Sequence, residues 1–307
     1  MKPFRTHVAL AVDGGGIRGT MVAKALAVVE AELGKPCSDL FHLSAGTSTG
    51  SIISAAIGAS IPAERVHELY VRLGGTIFGR SWRTIWPLAT FKYPNEPLIA
   101  ALRDTLGELR MGDLAPFNVV ITIRDVKDNR TLFVKTGKDE YKEMKLWYAA
   151  LCSSSVPTYF PVVDDRYVDG GVGAYTNPVY LAAWEAAYRL GWDQKETTLI
   201  SIGTGRVPAV PESARPGHMN PLQWIRPLVD TFLADSSDQQ VRLVRQFFPE
   251  LDFRRFQVDL HPPIEMDDPK GIPALTQWGE TLGQMILNDQ MDADAMQLPT
   301  WLTVPIP

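Results

Sequence analysis

Two short apolar runs, each cut off by glycine, limit more than any other feature what this chain can fold into. THVALAV (6–12) stops on D-G-G-G, and LFHLSA (40–45) stops on G-T-S-T-G. Both are too short for a helix and apolar on every side, which is how a strand buried on both faces of a sheet reads. A helical pattern follows each. Met21, Val22, Ala25, Leu26, Val29 and Leu33 recur at helical spacing before Gly34, and SIISAAIGA follows the second run. Helices are also expected over 63–73 after Pro62, over about 96–109, and from Asn177-Pro178 to Gly191. Further strands are expected at 118–124, 131–135, 197–203 and 253–258. Strand and helix alternating in this way predict an α/β fold with a mostly parallel sheet and helices on both faces.

Composition narrows the class. The chain has 307 residues, 45% of them hydrophobic, enough for a large single core. No Pro/Gly/Ser linker divides it, so residues 6–206 read as a core and 207–307 as a helical and loop-rich extension packed on the same domain. Two cysteines, Cys37 and Cys152, make no disulfide framework and point to a reducing, cytoplasmic setting. The first apolar run is too short for a signal segment, and no run approaches a membrane span. A net charge of −5 argues against a nucleic-acid polymer as partner.

G-T-S-T-G has the form of a nucleophile elbow. In such a turn the serine sits on a sharp strand-to-helix bend in strained geometry, and side chains two residues away on either side would collide. Gly46 and Gly50 stand at those positions around Ser48. The helix that starts behind the turn offers a positive dipole end.

D-G-G-G-I-R-G (13–19) also fits a dinucleotide fingerprint through Gly14, Gly16 and Gly19. Against that reading, Asp39 precedes the second strand where a ribose-binding acid should end it, and Asp13 would set a carboxylate beside the pyrophosphate. An Asp-x-Gly-Gly phosphate loop, its acid holding Mg²⁺, is the stronger rival, but it leaves G-T-S-T-G with little to do. The economical reading combines the motifs: Gly14, Gly15 and Gly16 turn their N–H groups into an oxyanion hole beside the elbow. Arg18 adds positive charge there or braces the loop.

A serine nucleophile needs a base. Of the five histidines, His7 and His42 lie inside strands ahead of their turns and His67 lies mid-helix, while His218 and His261 sit in proline-bearing loops that could fold back to the site. Asp169, at the end of Tyr167-Val168 and followed by Gly170-Gly171, can instead hydrogen-bond Ser48 directly. Its ordinary pKa near 4 makes it a weak base unless burial raises it.

Taken together, D-G-G-G-I-R-G, G-T-S-T-G and Asp169-Gly170-Gly171 resemble the three motifs of the patatin-like phospholipase family, in the same order. FKYPNEPLIAAL, LCSSSVPTYFPVV and TTLISIGTG add to the resemblance, which covers about residues 6–206. It implies a three-layer α/β/α fold and a Ser48–Asp169 dyad, with an oxyanion hole of Gly14, Gly15 and Gly16 and Arg18 close by. It also implies hydrolysis of fatty-acyl esters of phospholipids or glycolipids with no cofactor or metal.

Residues 74–94 hold Phe78, Trp82, Trp86, Phe91 and Tyr93 with Arg80, Arg83 and Lys92 and no acid. This stretch reads either as a lipid interface touching a membrane surface peripherally or as a packed aromatic cover. Two other functions stay open on sequence grounds: a nucleotide-dependent phosphotransferase using the glycine loop, and a catalytically silent lipid-binding regulator.

Overall fold

β1, His7–Val12, shows why both faces of the sheet are covered. Val8, Leu10 and Val12 point into one apolar cluster, and Ala9 and Ala11 into another on the opposite face. The alternation repeats in β3 (Asn118–Asp125), where Val119, Ile121 and Ile123 join the first cluster and Val120 the second. In β6 (Thr197–Ile202), Ile200 and Ile202 face one way and Leu199 the other. A strand whose successive side chains enter two different cores requires a helical layer on each side.

A computed structural model describes residues 2–79, 90–208, 217, 219 and 221–297, with backbone only at 221–230, 233 and 234. Seven strands form one sheet in the order β4-β3-β2-β1-β6-β7, with β5 also paired to β3. Here β2 is Leu43–Gly46, β4 Arg130–Lys135, β5 Tyr167–Asp169 and β7 Asp252–Phe256. The pairs β1–β2, β1–β6, β2–β3 and β6–β7 are parallel; β4 and β5 run antiparallel to β3. The fold is therefore the mostly parallel three-layer α/β/α arrangement.

One face carries helices Gly19–Leu33, Thr49–Gly58, Ala63–Ile77, Glu96–Leu106, Leu146–Ser154 and Ile272–Leu287, whose apolar residues fill the larger cluster. The other carries Val179–Trp184 and the C-terminal part of Pro221–Phe247, through Val241 and Val244. β2 begins later than the apolar run suggested, because a short helix, Cys37–Leu40, takes up Leu40. The C-terminal third supplies an edge strand, β7, and a helix that lies close against Gly19–Leu33: a Cβ on Gly279 would stand 2.7 Å from the Met21 carbonyl oxygen. No helix among the described residues is long and apolar enough to cross a membrane.

Candidate active site

β3 is the ruler that brings the candidate nucleophile and base together. Gly46, the last residue of β2, pairs with Ile121, while Asp169, the last residue of β5, pairs with Ile123. β4 occupies the other edge of β3 from Val120 to Asp125, so β2 and β5 share one edge and meet end to end. Ser48 stands two residues beyond Gly46, as Ile123 stands two beyond Ile121. Ser48 and Asp169 thus arrive at the same level from opposite directions.

Ser48 is buried, at 5% exposure, and holds φ 54°, ψ −125°. Positive φ in a residue with a side chain costs on the order of 1–3 kcal/mol and persists only where the surroundings enforce it. The enforcement is visible. A Cβ on Gly46 would lie 2.1 Å from the Gly50 carbonyl oxygen, and one on Gly50 would lie 2.2 Å from the Val12 carbonyl oxygen. The Ser48 N–H donates to Ser153 Oγ at 2.9 Å, and the Ser48 carbonyl accepts from Ser51 N at 2.9 Å and Ser51 Oγ at 2.6 Å.

Asp169 is 3% exposed. Its N–H donates to the Ser155 carbonyl at 3.1 Å, and its Oδ1 accepts from Gly171 N at 2.7 Å. Burial pushes its pKa up to about 6, against the opposing pull of the Ser48 hydroxyl and the Gly171 N–H. The Ser48 hydroxyl is near enough to exert that pull, yet no hydrogen bond closes in the resting geometry. Asp169 Oδ2 is buried without a partner among the described residues. Catalytic contacts often tighten only when substrate arrives.

The glycine loop sits at the C-terminal end of β1, beside the elbow. A Cβ on Gly14 would touch Ser48 Cβ at 3.2 Å. The Gly14 N–H, however, donates to the Thr176 carbonyl at 2.8 Å, which leaves Gly15 and Gly16 as the loop glycines whose N–H groups bond no other described residue. Gly16 has φ +59° and lies against the Met266 carbonyl, where any side chain would clash. Thr204 Oγ1 donates to the Gly14 carbonyl at 2.7 Å. Buried Arg18 donates Nε to the Gly15 carbonyl at 3.3 Å and Nη1 to that of Gly205 at 3.1 Å, and so braces the loop. Gly19 packs against Thr49 and Tyr70, and Gly170 against Thr122.

Asp13 is held in a buried, two-pronged ion pair with Arg255, at 2.8 and 2.6 Å, and Arg255 also bonds Ser201 Oγ at 2.7 Å. Its carboxylate oxygens are both engaged, which removes the free acid that a Mg²⁺-holding phosphate loop requires. No group of three or more His, Cys, Asp or Glu among the described residues could hold a metal ion.

None of the described histidines bonds Ser48. His7 stacks on Trp192 at 4.7 Å, and His42 Nδ1 accepts from Val8 N at 3.0 Å, both at the opposite, N-terminal edge of β1. They line a cavity of about 630 Å³ there, remote from the elbow. His67 bonds Thr276 Oγ1 at 3.1 Å and His261 is exposed, while His218 lies outside the described residues. Trp82 and Trp86 also lie outside them. Phe78 is half-buried and packs edge-on against Tyr93, with ring centroids 5.1 Å apart; Phe91 is half-buried as well.

Sequence reasoning missed Ser153, Thr176, Thr204 and Arg255. LCSSSVPTYF carried no element assignment from the sequence, and its first residues, Ser153 among them, belong to the helix Leu146–Ser154; none of the four runs LCSSSVPTYF, AYTNP, IGTG and FRRFQV indicates a pairing partner.

A family model for patatin-like phospholipase matches residues 10–183, which contain the elbow, the glycine loop and Asp169. Among similar proteins, an intracellular phospholipase A2 of Caenorhabditis elegans is 28% identical over 235 residues, 71% of this chain and 21% of that protein. A cGAMP-activated phospholipase of Pseudomonas aeruginosa is 32% identical over 184 residues, 56% of this chain and 54% of its own. Patatin group M-3 of Solanum tuberosum is 28% identical over 327 aligned positions, 89% of this chain and 82% of that one. The chain thus spans about a fifth and about half of the first two relatives and most of the third. With more than half of its length matched by the family model, the chain belongs to the patatin-like phospholipase family.

Proposed function

We propose that this protein is a lipid acyl hydrolase in which Ser48 is the nucleophile and Asp169 its base. The observation that carries this reading is the pairing itself: a strained, buried serine level with a buried carboxylate whose pKa of about 6 suits proton transfer near neutrality. Asp169 takes the Ser48 proton as Oγ attacks the ester carbonyl carbon and the carbonyl electron pair moves onto oxygen. The Gly15 and Gly16 N–H groups stabilise that oxyanion, with the Arg18 charge nearby. Collapse breaks the ester bond, and Asp169 returns the proton to the leaving alcohol. Water, deprotonated by Asp169, then releases the fatty acid and restores Ser48.

The substrate class is a fatty-acyl ester of a phospholipid or glycolipid, met by a cytoplasmic protein that contacts the membrane surface peripherally. The engagement of Asp13 by Arg255 tells against the phosphotransferase reading. The decisive experiment is a screen of acyl esters and phospholipids with wild type and Ser48→Ala. The wild type should release fatty acid and be labelled once by a fluorophosphonate, at Ser48. A folded alanine variant that kept substantial activity would remove Ser48 from the role of nucleophile. Vesicle binding by the wild type with no acid released from any ester would replace this reading with that of a silent lipid-binding protein.

A further inference from the structure

Stretches far apart in the chain meet at one carboxylate oxygen. Asp267 Oδ2 accepts from the Tyr93 hydroxyl at 3.0 Å and pairs with Lys92 Nζ at 3.2 Å. The Lys92 ammonium also lies over the Tyr159 ring, 4.3 Å from its centroid. Their backbones are joined too: Lys92 N donates to the Thr158 carbonyl at 2.9 Å, and Tyr93 N to the Tyr159 carbonyl at 2.8 Å. FKYPNEPLIAAL and LCSSSVPTYFPVV, two runs that resemble the family, thus come together on Asp267 of MDDPKG. The residue before it shapes the glycine loop. The Met266 carbonyl accepts the Ile17 N–H at 2.8 Å, and a Cβ on Gly16 would stand 2.3 Å from that oxygen. Gly16, at φ +59°, is therefore moulded on Met266. On the far side of the same turn, Asp268 Oδ1 accepts from Lys270 N at 3.1 Å, just ahead of helix Ile272–Leu287. On the near side, Asp267 is the tie. Its side chain is 17% exposed and that of Lys92 is 40% exposed. An ion pair so placed contributes at most about 1 kcal/mol to stability.

We propose that Asp267 is a positioning residue: by gripping Lys92 and Tyr93 it fixes the Met266 carbonyl, and through it aims the Gly16 N–H at the ester oxygen. This rests on the hydrolase reading above. Asp267 transfers no proton and makes no bond with Ser48 or Asp169. Its effect reaches the chemistry through the backbone of residues 266 and 16–17. An oxyanion donor is effective because it is held in place before the reaction, and a misplacement of about 1 Å costs about 10²-fold in rate.

The test uses a soluble short-chain ester, so that contact with a lipid surface does not enter. Asp267→Ala removes both ties, while Lys92→Met and Tyr93→Phe remove one each. Asp267→Ala should lower kcat about 10–100-fold with KM nearly unchanged. Each single partner variant should fall part of the way, and Lys92→Met with Tyr93→Phe should together reproduce Asp267→Ala. Asp267→Asn, still able to accept from Tyr93, should match Lys92→Met. A trifluoromethyl ketone, whose carbonyl takes up the Ser48 oxygen and carries the oxyanion, should lose affinity by the same factor as kcat/KM. The acid limb set by Asp169 near pH 6 should stay in place, and the melting temperature should change little. Unchanged kcat and inhibitor affinity in Asp267→Ala, or in the double partner variant, would overturn the proposal. So would a limb that moves with the loss of activity, since Asp267 would then act on Asp169 and not on the glycine loop. A fall in melting temperature that accounts for the lost activity would overturn it as well, by making Asp267 a residue of the fold alone. An active, folded Ser48→Ala protein would strike the hydrolase reading itself. A Ser48-dependent enzyme indifferent to Asp267→Ala would strike only this proposal.

Discussion

The Asp169 carboxyl is carried at a pKa of about 6 because burial disfavours its charge more than Ser48 and the Gly171 N–H favour it. The folded pKa lies above the unfolded one, so between about pH 4 and 6 the native state binds the extra proton and stability falls as pH rises. The difference of about two units is worth about 3 kcal/mol, present as a penalty at neutral pH and absent below about pH 4. Asp169→Asn keeps the acceptor for Gly171 N and cannot ionise. It should therefore raise the melting temperature at pH 7.5, with the gain vanishing towards pH 4, while kcat drops by roughly 10²–10⁴. The wild-type pH profile should show an acid limb near 6, below which kcat/KM falls tenfold per unit. An Asp169→Asn protein less stable than wild type at pH 7.5 would mean that the charge is not a burden on the fold. Ser48 at φ 54° is a further feature of the same site that weighs against stability. This is the pattern expected where local rules are broken for chemistry.

At the level of elements, strands and motifs were legible because their signals are local: β-branched apolar runs, glycine stops and helical spacing. The elbow was legible for the same reason, since Gly46, Ser48 and Gly50 are neighbours in sequence. What holds the elbow was not. Ser153 is 105 positions from Ser48, Thr204 is 190 from Gly14 and Arg255 is 242 from Asp13, and no periodicity links such pairs. The end of helix Leu146–Ser154 illustrates this. Ser153 Oγ accepts the Ser48 N–H, and two residues on, the Ser155 carbonyl accepts the Asp169 N–H. One short segment thereby sets the spacing of Ser48 and Asp169. Ser153→Ala should lower kcat about 10–100-fold, an element-scale version of misplacing a reacting group. It should also move the acid limb upward, because a displaced Ser48 hydroxyl no longer pulls the Asp169 pKa down. Ser153→Thr, with the hydroxyl restored, should bring the limb back. A loss of activity with no movement of the limb would make Ser153 a stability residue only.

At the scale of the whole molecule, the C-terminal third reaches the site through contacts that a core ending near residue 206 lacks. The Ile17 N–H donates to the Met266 carbonyl at 2.8 Å, so the loop that carries Gly16 is shaped in part by residues 250 positions later in the chain. β7 completes the edge of the sheet next to β6 and carries Arg255, which is 3% exposed and closes on Asp13. Asp13 immediately precedes the three glycines, and its own N–H is fixed to the Ile202 carbonyl at 3.1 Å. Removing one partner of a buried ion pair leaves an uncompensated charge and costs about 3–5 kcal/mol, far more than the pair contributes over two apolar residues. Arg255→Met should therefore lower the urea midpoint sharply and lower activity with it, since the glycine loop loses its anchor. Asp13→Asn in the same chain removes the stranded charge and should recover a large part of the stability, giving a coupling energy of opposite sign to the single losses. Unfolding followed by tryptophan fluorescence and by loss of activity should coincide in wild type, because the core and the C-terminal third share this pair. If activity disappeared at much lower urea than fluorescence, or if the double variant were no more stable than Arg255→Met alone, the C-terminal third would not be part of the unit that holds the glycine loop.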